Sequence, residues 1–259
     1  MDEHQHIVNP LEIMLVMEPS PKDGRDWIAE TIFPESTTCP KTLDLRPDLQ
    51  KIRNQGSSGT CAAQSAACMK EWQEKKDIGL STHMAPQFIY NLRENKSEGM
   101  YGRDLMRVLS KIGVCCEDDY VYGRKNTKDE IMNDVELMQK AINFKIKSYA
   151  RVNTIDATKK ALFQNGPCVI SFPVYDHSNE MWRPKKQGQV MMGGHAMTIV
   201  GYNKKSFIIR NSWGEGWGDK GYCFYPFKQW GSHWEIWTTI DGKSVEPKGN
   251  KCKFLRCFK

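Results

Sequence analysis

The feature that most constrains this chain is a change of period near residue 143. Before it, apolar residues recur at helical spacing. The run "CAAQSAACMKEW" from Cys61 sets small or apolar side chains at 62, 63, 66, 67, 69 and 72, which fits a helix with one close-packed face. Further helices are predicted at "APQFIYNLREN" and at "RDLMRVLSKIG", the latter ended by Gly113. The stretch "TKDEIMNDVELMQKAI" opens on a Thr127-x-x-Glu130 capping box and repeats apolar residues at 131, 135, 138 and 142. After it the pattern alternates. "FKIKSYARV", "CVISFPV", "HAMTIVGY", "SFIIRN", "GYCFYPF" and "WEIWTTI" read as strands, with one short capped helix at "TIDATKKALFQNGP". Helices first and strands second predict an α+β fold of two lobes, with 41–142 mainly helical and 143–240 mainly β, and a cleft between them.

Two flanks fall outside this pattern. Residues 1–40 form an extension, punctuated by Pro10, Pro19, Pro21, Pro34 and Pro40, with one short amphipathic piece, "DGRDWIAETIF". Its place ahead of the organised region suggests that it lies along the cleft and restrains access. Residues 241–259 form a basic tail in which Lys243, Lys248, Lys251, Lys253, Arg256 and Lys259 face only Asp241 and Glu246. The net charge of +6 is therefore partly local, and it reads as a solvated end that indicates no nucleic-acid partner. "LEIMLVM" is too short to span a bilayer, and the acidic start "MDEHQH" is no signal-peptide n-region. The nine cysteines form no C-x-x-C pair, which argues against a structural metal site, and their odd number argues against a complete disulfide framework. Free thiols in the cytoplasm are expected, in a monomer that touches no membrane.

One cysteine stands apart. Cys61 follows "NQGSSGT" at the seam between a tight turn and a helix, where the helix N-terminus favours a thiolate. Six residues earlier, Gln55 can fold its amide back toward the sulfur and, with the Cys61 N–H, supply two donors for an oxyanion. His195 lies in "MMGGHAMTIVGY", and Asn211 and Trp213 lie in "RNSWGEGWGDKGY". A thiol nucleophile needs a base, and the base needs a third group to orient it. Gly216-x-Gly218-x-x-Gly221 matches a dinucleotide fingerprint, but the aromatic strand "YCFYPF" follows it where a helix is required.

Taken together these blocks resemble the papain-like cysteine peptidase family over about Leu43 to Ile240. His195 and Asn211 lie 134 and 150 residues after Cys61, where the family places them about 130–150 residues downstream. The resemblance implies a papain-like fold with a β-barrel-like right lobe, polypeptide substrates, and no metal or organic cofactor. It implies Cys61 as nucleophile, His195 as base and acid, Asn211 as orienter and Gln55 as oxyanion donor. Trp213 would shield the Asn–His bond. Ala196 and Ser171 would line the pocket for the second residue upstream of the cut, and Gly99 and Gly102, in "SEGMYGR", would pair with extended substrate.

The chain also departs from the family pattern. Ser58 stands where secreted members carry a cysteine, so one family disulfide cannot form. Ala62 replaces an aromatic residue, and Gly194 replaces a polar one. Two other readings stay open: an inactive member that keeps the cleft as a peptide-binding module, and a Cys–His amidase or deconjugating enzyme.

Overall fold

The computed structural model describes residues 13–33, 36–95 and 98–240; the basic tail and "MDEHQH" lie outside them. The helical lobe is built on α1, Cys61–Ile78. Its side chains from Cys61 to Glu71 are all buried, so the helix is enclosed on nearly every side and not on one face only. Ala62, Ala63, Ala66 and Ala67 allow this, because their small side chains let other helices and the sheet approach together. The buried charges on it are paired: Lys70 Nζ lies 2.6 Å from Glu74, one turn on. Gly79, at φ 70°, ends the helix in the left-handed conformation and returns its N–H to the last carbonyls.

Around α1 lie α2 (Pro86–Asn91) and α3 (Gly102–Lys111). Gly113, at φ 94°, donates to Val108 O just past α3, as a helix-ending glycine does. The run after Thr127 forms two helices where one was expected, α4 (Lys128–Asn133) and α5 (Val135–Ile142). The capping box at Thr127 and Glu130 is present. Asp134 breaks the run, because its extended backbone lets its carboxylate accept from Leu137 N and cap the second helix.

The β lobe carries β2 (Ser148–Arg151), β3 (Cys168–Val174), β4 (Gly193–Tyr202), β5 (Ser206–Arg210), β6 (Tyr222–Pro226) and β7 (Glu235–Ile240), with α6 (Ile155–Asn165) capped by Thr154. With β1 (Leu43–Asp44) they form one sheet in the order β2-β7-β3-β4-β5-β6, β1 pairing the far end of β4. The barrel-like lobe expected from the family resemblance is thus an open sheet. Its end strands β2 and β6 do not meet, and β2 has its outer edge covered by a parallel bridge from Ile28 to Arg151. The two-residue period divides the sheet into two faces. Val169, Ala196 and Trp237 join the core of the helical lobe. Ile170, Phe172, Met197, Ile199 and Ile236 build a second core with Trp182 and Tyr225.

The N-terminal segment passes between the lobes as a strap. Val16 forms a parallel bridge with Gly194, and Met17, buried, belongs to the cluster that contains Cys61, Met100 and Ala196. Ser20 reaches Glu235 and the start of α3. The chain then turns through a 3-10 helix at Ala29–Thr31, with Ala29 and Phe33 buried, and Glu30 accepts from Asn153 N. It returns to the sheet at β1.

Candidate active site

Cys61 opens α1, so its sulfur sits where unpaired backbone N–H groups converge. The loop before it is held from both lobes. Gln55 N donates to Ser212 O, Ser212 Oγ donates to Gln55 Oε1 at 2.7 Å, and Gln55 Nε2 donates to Ser58 O at 2.8 Å. One Nε2 hydrogen remains for another acceptor. Tyr122 Oη donates to Gln55 O and pairs with Thr60 Oγ1 at 2.7 Å, and Arg53 bridges Glu71 and Glu117 beneath the turn.

His195 lies near the start of β4 and Asn211 just past the end of β5, its antiparallel neighbour. His195 Nε2 is 2.7 Å from Asn211 Oδ1. That oxygen also accepts from Ser212 N, so the amide is oriented with Oδ1 toward the ring and Nε2 carries the proton. Nδ1, fully buried, then has no hydrogen-bond partner among the described residues. Trp213 packs on the imidazole, with centroids 4.4 Å apart and planes inclined by 33°, and is itself 7% exposed. It therefore covers the Asn–His bond from solvent.

The two halves meet at Ala196. Ala196, next along the strand from His195, is buried in the same cluster as Cys61 and Ala62. Burial pushes the thiol up to about 11. Burial likewise pulls His195 down to about 4, against the bond from Asn211. Burial thus disfavours the charged form of each group taken alone.

The remaining sequence-predicted positions fall beside this centre. Ser171 is in register with Ala196 across β3 and β4, and with Glu235 across β3 and β7. The Ser171 hydroxyl is buried with no partner among the described residues. Gly99 and Gly102 lie apart from one another. A Cβ on Gly99 would overlap Val16 O of the strap, whereas one on Gly102 would meet Glu235 and Trp237. Sequence reasoning missed Met17, Ser20, Arg103 and Glu235. Ser20 and Glu235 are 215 positions apart, and no local pattern joins them.

A cysteine at a helix N-terminus, backed by a histidine–asparagine pair from the opposite lobe, defines a thiol peptidase. The model of the papain family of cysteine proteases matches residues 39–234, and the chain belongs to that family. It is 32% identical over 224 residues, 73% of this chain and 71% of the relative, to an uncharacterized peptidase C1-like protein of Acanthamoeba polyphaga mimivirus. It is 30% identical to cathepsin K of Mus musculus over 77% of this chain and 64% of that one. Among solved structures, xylellain, a cysteine protease from Xylella fastidiosa, superposes with a TM-score of 0.75 at 26% identity, covering 88% of this chain and 96% of that one. Among the described residues, no helix is long and apolar enough to cross a membrane.

Proposed function

We propose that Cys61 and His195 hydrolyse peptide bonds through an acyl-thioester, with polypeptides as substrates. The observation that carries this reading is the His195–Asn211 bond of 2.7 Å beneath Trp213, which leaves Nδ1 without a partner among the described residues while the adjoining Ala196 is buried in the same cluster as Cys61. The thiol proton passes to Nδ1 as the sulfur adds to the carbonyl carbon. The carbonyl electron pair moves to oxygen, which takes hydrogen bonds from Cys61 N–H and from the free hydrogen of Gln55 Nε2. Collapse breaks the C–N bond, and His195 protonates the departing amine. Water, deprotonated by His195, then adds to the thioester and releases the acid, and the proton returns to sulfur. Proton transfer creates opposite charges within one enclosed site, and their attraction offsets the burial that disfavours each charge taken alone.

The strap restrains this site. Val16 fills the space above Gly59 and Gly99, and its neighbours bond to the backbone of Gly194, the residue before His195. These same backbone groups are the ones that an extended substrate would use. Seven free thiols among the described residues favour a reducing compartment, the cytoplasm.

Selective alkylation of Cys61, together with release of peptides from an unfolded protein, tests the reading. Cys61→Ala is expected to abolish both, and undiminished hydrolysis by that variant would refute it. The inactive peptide-binding alternative predicts an unreactive Cys61 in the same assay, and mass spectrometry of the products separates peptide cleavage from amide or isopeptide cleavage.

A further inference from the structure

Where the strap leaves the cysteine, it meets a set of donors. Arg103 Nε donates to Asp26 Oδ1 at 2.8 Å and its Nη2 to Asp26 Oδ2 at 2.6 Å, a bidentate pair, and Nη2 also donates to Pro21 O. Arg103 N donates to Ser20 Oγ at 3.0 Å. Arg151 stands 3.8 Å from the same Asp26 carboxylate and 3.6 Å from Glu235. Both guanidinium groups lie over one indole, Trp237, at 5.9 and 5.4 Å from the ring centroid. Arg103 and Asp26 side chains are only 8% and 7% exposed.

The charges balance only while the strap is in place. Arg103 and Arg151 belong to the enzyme body, as does Glu235. Asp26 belongs to the strap, as does Asp23, which also acts on Arg103. Lifting the strap leaves two cations against one carboxylate, and it removes from Arg103 every acceptor named above. A guanidinium fork stripped of its acceptors is best matched by another carboxylate.

The geometry points to a carboxylate-binding subsite formed by Arg103 and Arg151, occupied by Asp26 in the strapped protein and by an acidic side chain of the substrate once the strap is displaced. Its position sets the register. Met17 donates to Gly194 O beside the catalytic histidine, and Pro21, at Arg103, is four residues further. Four extended residues reach about 13 Å. The direction is that of Ala196, Ser171 and Glu235, the upstream side of the cut. The enzyme is therefore selective for polypeptides with an aspartate or glutamate three to five residues upstream of the scissile bond. The word substrate rests on the peptidase reading above, but binding to the subsite does not require hydrolysis.

The test uses the full chain carrying Cys61→Ala, so that nothing is cleaved, with and without Asp26→Asn. Fluorescence anisotropy is followed with labelled extended peptides that differ only by Glu or Gln at the third, fourth or fifth upstream position. With Asp26→Asn, one of the Glu peptides is expected to bind about tenfold more tightly than its Gln twin, the size of a charge-assisted bidentate contact. Adding Arg103→Gln should erase the difference, and Arg103→Lys should restore only part of it. Arg151→Gln is the second variant should the first not fold by near-ultraviolet circular dichroism. Equal binding of the pair, no binding of either, a preference that survives both arginine substitutions, or equal preference with Asp26 intact would each overturn the subsite. The hydrolase reading stands or falls separately on Cys61 alkylation and peptide release.

Discussion

At the scale of single residues, His195 shows how much is decided by one bond made and one withheld. Nε2 is committed to Asn211, so the ring presents its other nitrogen as an acceptor in a dry site. Asn211→Ala should leave the fold intact and lower kcat by about tenfold, because only the orienting part of the acid–base contribution is removed. Stopped-flow acylation against a thermal melt separates the two effects. Gly99→Ala acts on the strap instead. The new Cβ would overlap Val16 O, and Gly99 has no left-handed backbone to strain, so faster trypsin cutting after Lys22 is expected with little change in the melt of the body. Unchanged cutting would mean that the strap accommodates the methyl group. Cys61, Gln55, His195, Asn211 and Trp213 were legible because each sits in a short motif whose chemistry is local. Glu235 and Arg103 were not. Their partners Ser20 and Asp26 lie 215 and 77 positions away, in a proline-punctuated stretch with no period to read.

Elements follow from capping and side-chain size. Asp134 sits inside a run whose apolar period continues across it, so periodicity alone joins α4 to α5, and only the side-chain bond to Leu137 N separates them. Asp134→Ala should cost about 1 kcal/mol in urea unfolding without touching turnover, since α5 lies away from the cleft. A larger cost would indicate that the break also sets the packing of Leu137. The central helix carries the opposite risk. Ala66 is fully enclosed, and Ala66→Leu is expected to destabilise by about 1–3 kcal/mol through overpacking. A surface-like loss below about 0.5 kcal/mol would mean that the site can expand. The alanine run announced a helix with something pressed against it, but not that it would be pressed from all sides. That depends on elements more than a hundred residues downstream.

For the whole molecule, pH dependence follows from the buried imidazoles. His195 and His233 are each pulled down to about 4 by burial, from an ordinary value of 6.5. Between those values the unfolded chain binds protons that the folded chain refuses, so stability falls as pH drops from about 6.5 to about 4 and then levels for these groups. Each contributes up to about 3 kcal/mol of that loss. Urea midpoints at pH 7 and pH 4.5 should differ accordingly, and His233→Gln should shrink the difference by about half; an unaltered profile would show that His233 charges freely in the fold. The order of helices and strands was readable as an α+β molecule. The open sheet was not, because closure depends on which edges meet, and here the chain's own N-terminal segment covers the edge of β2.

The strap is joined through β1 to β4, and the opposite end of β4 carries His195. An occupant tethered in this way acts at an effective concentration of order millimolar however dilute the protein becomes. Dilution therefore cannot relieve it, and a peptide that competes only weakly will not either. Under the restraint proposed above, opening comes from a cut in the tether or from a competitor that also satisfies its anchoring charges, so protein concentration should leave the resting rate per molecule unchanged.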